Sequence, residues 1–183
     1  MRYVSMLRGI NVSGQKKINM TDLKSLYEDS GFEHVVTYIQ SGNVVFNIQE
    51  KKLKKNIEKT IEAAIQTQYG FDVPVLIRTH DEISRVIQHC PFTSIDFEKE
   101  GSKILVTFLS STPSVEAVKN IQPYVAASES LFVDGKEIYL HCPEGYGRSK
   151  LSNAFFEKKM DVVATTRNWK TVCKLHELSE AST

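Results

Sequence analysis

Three loops of the sequence carry residue types that bind anions, and each lies where a strand is expected to lead into a helix. The first runs from Arg8 to Lys17, the second from Gly145 to Lys150, and the third from Thr165 to Lys170. Glycine-rich turns and helix amino termini bind phosphate through backbone amides, and an arginine side chain can hold a planar anion through two hydrogen bonds. These loops indicate a site for a small anionic or phosphorylated ligand, or for a nucleotide.

The first loop has the glycine spacing of a P-loop but lacks the residues that follow it. Four residues separate Gly9 from Gly14. A P-loop then needs lysine followed by serine or threonine, and this chain has Gln15 and Lys16 at those two positions. The sequence therefore excludes a P-loop nucleoside triphosphatase. It leaves a looser anion site built from backbone amides and basic side chains, or a mobile solvated loop whose glycines only permit the turn.

The other two loops each have a functional and a structural interpretation. Arg148 is placed either to grip an anion or to lie on the surface of an ordinary strand-to-helix connection. Trp169 is placed either to stack on a base or sugar while Arg167 holds a phosphate, or to anchor a terminal helix in the core. The structural role is favoured for Trp169, whereas both roles stay open for Arg167.

A fourth group of polar residues lies at an expected hairpin tip. Tyr38 and Gln40 point to the same side of one strand, because side chains alternate along a strand. Ser41 and Asn43 follow in the turn. These side chains either line a cleft or form a well-made turn, and the turn is the favoured interpretation. The residues predicted to bind ligand are Arg8, Asn11, Lys16, Gln40, Asn43, Arg148, Lys150, Arg167, Asn168 and Trp169.

The sequence identifies no catalytic residue, so an enzyme of unassigned reaction stays open as a hypothesis. It predicts no metal or cofactor, and it does not identify the ligand. His89–Cys90–Pro91 and His141–Cys142–Pro143 repeat a tripeptide, but neighbouring strand residues point to opposite faces and the spacing matches no zinc module. The alternative function is a non-enzymatic interaction protein that binds nucleic acid or a protein partner through its basic carboxy-terminal third. Between Pro143 and Lys174 there are seven Lys and Arg residues against three Asp and Glu. RNA binding through an open sheet is disfavoured because Phe46 is the only aromatic residue in the third strand.

The composition limits the class of protein. The chain has 183 residues, 41% of them hydrophobic, with 23 Lys and Arg against 22 Asp and Glu. This near-neutral balance argues against a generally basic nucleic-acid coat. Three widely spaced cysteines and the lack of a signal peptide favour a reduced, cytoplasmic compartment. No apolar run is long enough for a membrane span, so no membrane partner is expected. The protein is expected to be a monomer or a homodimer.

These loops have to be positioned by an element order that occurs twice. Strand, helix, two strands of a hairpin, helix and strand are predicted over residues 1–80 and again over 103–183, with an extra carboxy-terminal helix. Helices are expected at Glu50–Tyr69, Pro113–Gln122 and Leu151–Lys159, and a closing strand at Asp161–Ala164. A short helix and linker occupy 81–102. The pattern predicts an α+β protein of two ferredoxin-like halves, with the ligand in a cleft between them. The first strand is apolar on both sides, so its open face should be covered.

Four stretches of the chain resemble one protein family. They read LRGINVSGQKKINM, TYIQSGNVVF, PEGYGRSKL and TTRNWKT, and they begin at Leu7, Thr37, Pro143 and Thr165. Together they resemble an uncharacterised bacterial family of unknown function over nearly the whole chain. The resemblance implies two ferredoxin-like plaits in one cytoplasmic protein. It implies no substrate and supplies no catalytic residue.

Overall fold

The computed structural model describes residues 1–49 and 56–180. Two similar series of elements follow one another along the chain. The first consists of β1 (Arg2–Leu7), α1 (Met20–Asp29), β2 (Glu33–Tyr38), β3 (Asn43–Asn47), α2 (Ile57–Tyr69), β4 (Val75–Thr79) and α3 (His80–Gln88). The second consists of α4 (Phe97–Glu100), β5 (Ile104–Leu109), α5 (Val115–Ile121), β6 (Ser130–Asp134), β7 (Glu137–His141), α6 (Asn153–Met160), β8 (Ala164–Asn168) and α7 (Trp169–Ser179).

The chain divides into two compact units. The first holds Met1–Arg85 and the segment that starts at Lys174, and the second holds Val86–Cys173. The first unit has a four-stranded sheet in the order β2-β3-β1-β4, and the second has one in the order β6-β7-β5-β8. All pairs in both sheets are antiparallel. This is the ferredoxin-like arrangement twice over, so the α+β fold predicted from the sequence is confirmed.

The core of the first unit forms because β1 alternates between two buried faces. Tyr3 and Leu7 pack with Phe46 and the apolar stripes of α1 and α2. On the same face, the Ser5 hydroxyl lies 2.8 Å from the Tyr27 hydroxyl, so this buried polar pair is satisfied internally. The opposite face is equally buried, since Val4 and Met6 are 0% exposed. Both sides of the strand are thus covered, as its apolar pattern predicts.

The core of the second unit lies between its sheet and the helices α5 and α6. Leu105 and Leu109 of β5 pack there with Leu140 of β7 and Phe156 of α6. Successive residues of β5 are all buried, so this central strand is also covered on both faces. The loop that leads from β7 to α6 therefore starts from a buried sheet, and β8 continues directly into α7.

Several element limits differ from the sequence prediction, and local capping explains each difference. Ser114 caps α5, because its side chain accepts from the Ala117 amide, so that helix begins at Val115 rather than Pro113. Ser152 likewise caps α6, so that helix begins at Asn153 rather than Leu151. Asp161 ends α6 in the left-handed conformation with a φ of 53°, which delays the closing strand to Ala164.

The long helix expected at Glu50–Tyr69 begins at Ile57 in the described part of the chain. Asn56 precedes it and caps it by accepting a hydrogen bond of 3.1 Å from the Lys59 amide. Residues 50–55 of that prediction lie outside the described residues.

Candidate functional site

The loop after β1 folds into a small hairpin. The Gln15 amide donates to the Val12 oxygen at 2.9 Å, and the Asn11 amide donates to the Lys16 oxygen at 3.2 Å. The two residues at its tip, Ser13 and Gly14, have φ values of 50° and 75°, the positive values that tight hairpin turns of this hand require. The amides of Asn11 and Gln15 are thus used within the loop itself.

Asn11 fastens this loop to the β2–β3 hairpin. Its side-chain amide donates to the backbone oxygens of Ile18 at 3.0 Å and of Gln40 at 2.8 Å. Its side-chain oxygen accepts from the Ile18 amide at 2.9 Å. Lys16 also holds the loop, because its ammonium group donates to the backbone oxygen of Asp72 at 2.6 Å. Asn11 and Lys16 therefore have structural partners, whereas the Gln40 side chain is exposed.

The hairpin tip packs closely on this loop. Gly42 has a φ of 79°, and a Cβ at this position would lie 2.6 Å from Ile10 Cδ1 and 2.8 Å from Leu7 Cβ. Asn43 is 0% exposed and donates to the Tyr38 oxygen and to the Ser41 hydroxyl, both at 3.0 Å. The first two stretches of the family resemblance thus form one braced structure, in which Asn43 builds the turn.

In the second unit, a cluster of hydroxyl groups connects the two family-like stretches that begin at Pro143 and Thr165. The Thr166 hydroxyl of β8 donates to Asn153 Oδ1 at 2.6 Å and lies 2.7 Å from the Thr107 hydroxyl. The Tyr146 hydroxyl donates to Thr166 at 3.3 Å. The loop between β7 and α6 is therefore fixed on the edge strand β8.

The Gly145–Lys150 loop leads directly into the first turn of α6. Gly145 has a φ of 93°, and Tyr146–Arg148 forms one 3-10 turn. The Ser149 hydroxyl then accepts from the Leu151 amide at 3.1 Å. Gly147 and Arg148 are exposed in this turn, whereas Tyr146 is half-buried.

Gly147 is a glycine that the fold does not require. Its φ lies outside the left-handed region, and a Cβ at this position would meet no atom within 4 Å. Arg148 and Lys150 beside it are exposed, and neither forms an ion pair with any residue in 1–49 or 56–180. The loop therefore offers two exposed cations and open space beside the Cα of Gly147.

The third predicted loop, Thr165–Lys170, is not a loop in the structure, because its residues form the end of β8 and the first turn of α7. Arg167 is 7% exposed, and its guanidinium donates to the Thr165 hydroxyl at 2.8 Å and to the Thr166 oxygen at 2.9 Å. Asn168 Oδ1 accepts from the Thr171 amide at 2.9 Å, as a helix cap does. Trp169 is 7% exposed and packs on Phe97 with ring centroids 5.1 Å apart. Trp169 therefore has the core role that the sequence favoured.

Part of the basic carboxy-terminal third lies beside an aromatic residue that the sequence analysis did not single out. Lys159 donates to the hydroxyl of the exposed Tyr124 at 3.1 Å and lies 4.7 Å from the centre of its ring. This hydrogen bond and charge lower the pKa of Tyr124, and the charges of Lys150 and Lys158 add to the effect. Tyr124 was not singled out because it is 35 residues from Lys159 in the chain.

The two units have the same ferredoxin-like sheet topology, so the chain is an α+β protein of duplicated plait architecture. It belongs to the family described as protein of unknown function (DUF1697), which matches residues 1–139. Its fold is similar to that of the conserved bacterial protein SP0830 from Streptococcus pneumoniae. The two are 22% identical, the match covers 98% of each chain, and the TM-score is 0.74. No curated protein matches the chain.

Two further properties concern only the described part of the chain. None of its helices has the length and hydropathy needed to cross a bilayer. Residues 1–49 and 56–180 also contain no group of three His, Cys, Asp or Glu side chains placed to hold a metal ion.

Proposed function

We propose that the protein binds a small anionic, phosphate-bearing ligand at the Gly145–Lys150 loop of its second unit. Gly147 carries this proposal. A glycine costs conformational entropy on folding, and here neither its φ nor a neighbouring atom accounts for its presence. Close approach of a ligand to the backbone does account for it.

The charged groups beside Gly147 suit an anion. Arg148 can bind a phosphate through two parallel hydrogen bonds, and such charge-assisted bonds are shorter and stronger than neutral ones. Lys150 adds a second positive charge two residues further on. The hydrogen bonds that join Tyr146, Thr166 and Asn153 hold this loop on β8. The loop therefore loses little conformational entropy when a ligand binds.

Other parts of the sequence-based hypothesis extend this proposal. That Arg8, Lys16 and Gln40 join the same ligand in a cleft between the halves stays a prediction. The cytoplasmic location also stays a prediction, and it rests on three widely spaced cysteines.

Calorimetric titration tests the proposal directly. Inorganic phosphate, pyrophosphate and nucleoside monophosphates are titrated into the wild-type protein, into Arg148→Ala and into Lys119→Ala, an exposed lysine of α5 in the same unit. We expect at least one of these anions to bind, and Arg148→Ala to weaken it by roughly 10- to 100-fold, as loss of a charged hydrogen bond implies. Lys119→Ala should bind like the wild type. No heat with any anion, or equal affinity in Arg148→Ala, would overturn the proposal.

The surface around Tyr124 favours a second candidate function, the binding of nucleic acid. Lys150, Lys158 and Lys159 surround an exposed aromatic ring, and basic grooves with aromatic side chains bind single strands by charge and stacking. The affinity of such a surface falls steeply with salt, in proportion to the phosphates contacted. A Lys158→Ala, Lys159→Ala double variant should weaken oligonucleotide binding while leaving the binding of small anions at Arg148 unchanged.

A further inference from the structure

A serine hydroxyl of the first unit lies between two imidazole rings. Ser84 Oγ is 2.8 Å from His176 Nε2 and 3.3 Å from His80 Nε2. The two rings stack with centroids 4.9 Å apart. Ser84 and His80 belong to α3, and His176 belongs to the carboxy-terminal half of α7.

The hydrogen bonds around Ser179 fix the proton of His80. The Ser179 hydroxyl donates its single proton to the His176 backbone oxygen at 2.8 Å. It must therefore accept the bond of 2.9 Å from His80 Nδ1. A neutral His80 then carries its proton on Nδ1 and has a lone pair on Nε2.

A carboxylate lies near His176. His176 Nδ1 is 3.9 Å from Glu180 Oε1, which is longer than a hydrogen bond, and the negative charge favours a proton on Nδ1. Nε2 then has a lone pair facing Ser84, and the shorter of the two serine contacts is the one to His176. Ser84 accordingly donates its proton to His176, in the order serine, imidazole and carboxylate that activates nucleophilic hydroxyls.

We propose that Ser84 is a nucleophile toward activated acyl esters, with His176 as its general base and Glu180 as a positioning residue. Ser84 Oγ forms a bond to the carbonyl carbon while its proton passes to His176 Nε2. The carbon–oxygen bond to the leaving alcohol then breaks, and the alcohol takes that proton. Water then attacks the acyl carbon while His176 Nε2 takes its proton. That proton returns to Ser84 Oγ as the carboxylic acid leaves, which restores the serine.

Solvent can reach this group of residues. Ser84 and His80 are partly exposed, and the side chains of His176 and Glu180 are 27% and 62% exposed. The site is independent of the anion-binding loop, because none of its residues lies in Gly145–Lys150.

An alkyl fluorophosphonate is the probe for this site. It requires the same attack, since the serine oxygen bonds to phosphorus, fluoride leaves and the proton passes to His176. The full-length protein is treated with the probe, digested and mapped by mass spectrometry. General-base assistance contributes about 100- to 10,000-fold, so Ser84 should label at least ~100 times faster than the exposed Ser25 of α1.

Three variants distinguish a nucleophile from a purely structural hydroxyl. Ser84→Ala should lose the adduct. His176→Ala should label about 100-fold more slowly and recover with added imidazole. Glu180→Gln should also label more slowly, and since Glu180 is 62% exposed this variant should retain the fold by circular dichroism. The proposal would be overturned if wild-type Ser84 labels no faster than Ser25, or if neither His176→Ala nor Glu180→Gln changes its rate. Ser84 would then serve only to hydrogen-bond α3 to α7.

Discussion

The side-chain amide of Asn11 donates a hydrogen bond of 2.8 Å to the backbone oxygen of Gln40. This bond connects two segments that are 29 residues apart, the loop after β1 and the tip of the β2–β3 hairpin. The same side chain exchanges two further bonds with the backbone of Ile18. Asn11 thus sets the shape of a loop in which Gly9, Asn11, Ser13, Gly14 and Lys16 all have positive φ.

Replacing Asn11 by alanine should destabilise the first unit. The substitution removes three hydrogen bonds and leaves backbone groups of Ile18 and Gln40 without these partners, so we expect a loss of about 1–3 kcal/mol in the free energy of unfolding. Urea denaturation measures it. Asn120→Ala, an exposed residue of α5, is the control and should change stability little. Equal stability of the two variants would show that the Asn11 bonds hold nothing in place.

Gly42 should tolerate no side chain. A Cβ would lie 2.6 Å from Ile10 Cδ1 and 2.8 Å from Leu7 Cβ, and the φ of 79° adds strain. Overpacking and a left-handed conformation together predict a loss of about 2–4 kcal/mol in Gly42→Ala. Gly70→Ala is the matched control, because Gly70 has a φ of 76° but open space around it, and it should lose only about 1 kcal/mol. Similar losses in the two variants would count against the close packing of the tip.

Cys142 should contribute to a loss of stability at alkaline pH. Burial raises the pKa of its thiol from the usual 9 to about 11. The folded state therefore favours the neutral thiol, so the stabilising effect is complete below pH 9 and is lost as the pH rises toward 11. The free energy of unfolding should fall less steeply over that range in Cys142→Ala than in the wild type. The tyrosine Tyr27, whose pKa burial also raises, is retained in both proteins. Parallel pH curves would contradict the prediction.

Tyr124 should ionise at a lower pH than an ordinary tyrosine. The hydrogen bond and charge of Lys159 lower its pKa. Lys159→Ala should therefore raise the pKa of Tyr124 toward the usual value, which ultraviolet absorbance of the phenolate measures, and Tyr124→Phe assigns the signal. Lys119→Ala should leave the titration unchanged. If Lys159→Ala also leaves it unchanged, the lysine does not lie over the ring in solution.

The fold was predictable because hydrophobic periodicity and turn chemistry agree along most of the chain. Asp134–Gly135 marks the β6–β7 hairpin, and the alternation of β1 indicates a strand buried on both faces. Element limits were less predictable, since competing caps decide them. Thr112 and Ser114 are both capping residues, and only the geometry shows that Ser114 reaches the Ala117 amide.

The roles of individual polar side chains were less accessible from the sequence. Arg167 and Arg148 look alike in a list of residues, yet Arg167 faces the interior because it lies on β8, while Arg148 is exposed in a turn. Contacts between distant segments were also hidden. Ser84 and His176 are 92 residues apart, and no local motif marks the pair.

Titration of Gly147→Ala with inorganic phosphate, pyrophosphate and nucleoside monophosphates is the most direct test of anion binding at the loop before α6. Because a Cβ at this position meets no atom within 4 Å and alanine has less conformational entropy to lose, the variant should melt at or slightly above the wild-type temperature. Its affinity should nevertheless fall at least about tenfold, which corresponds to ~1.4 kcal/mol, since the methyl group would occupy the space of the ligand. Unchanged affinity in Gly147→Ala, or no binding of any of these anions by the wild type, would contradict the account.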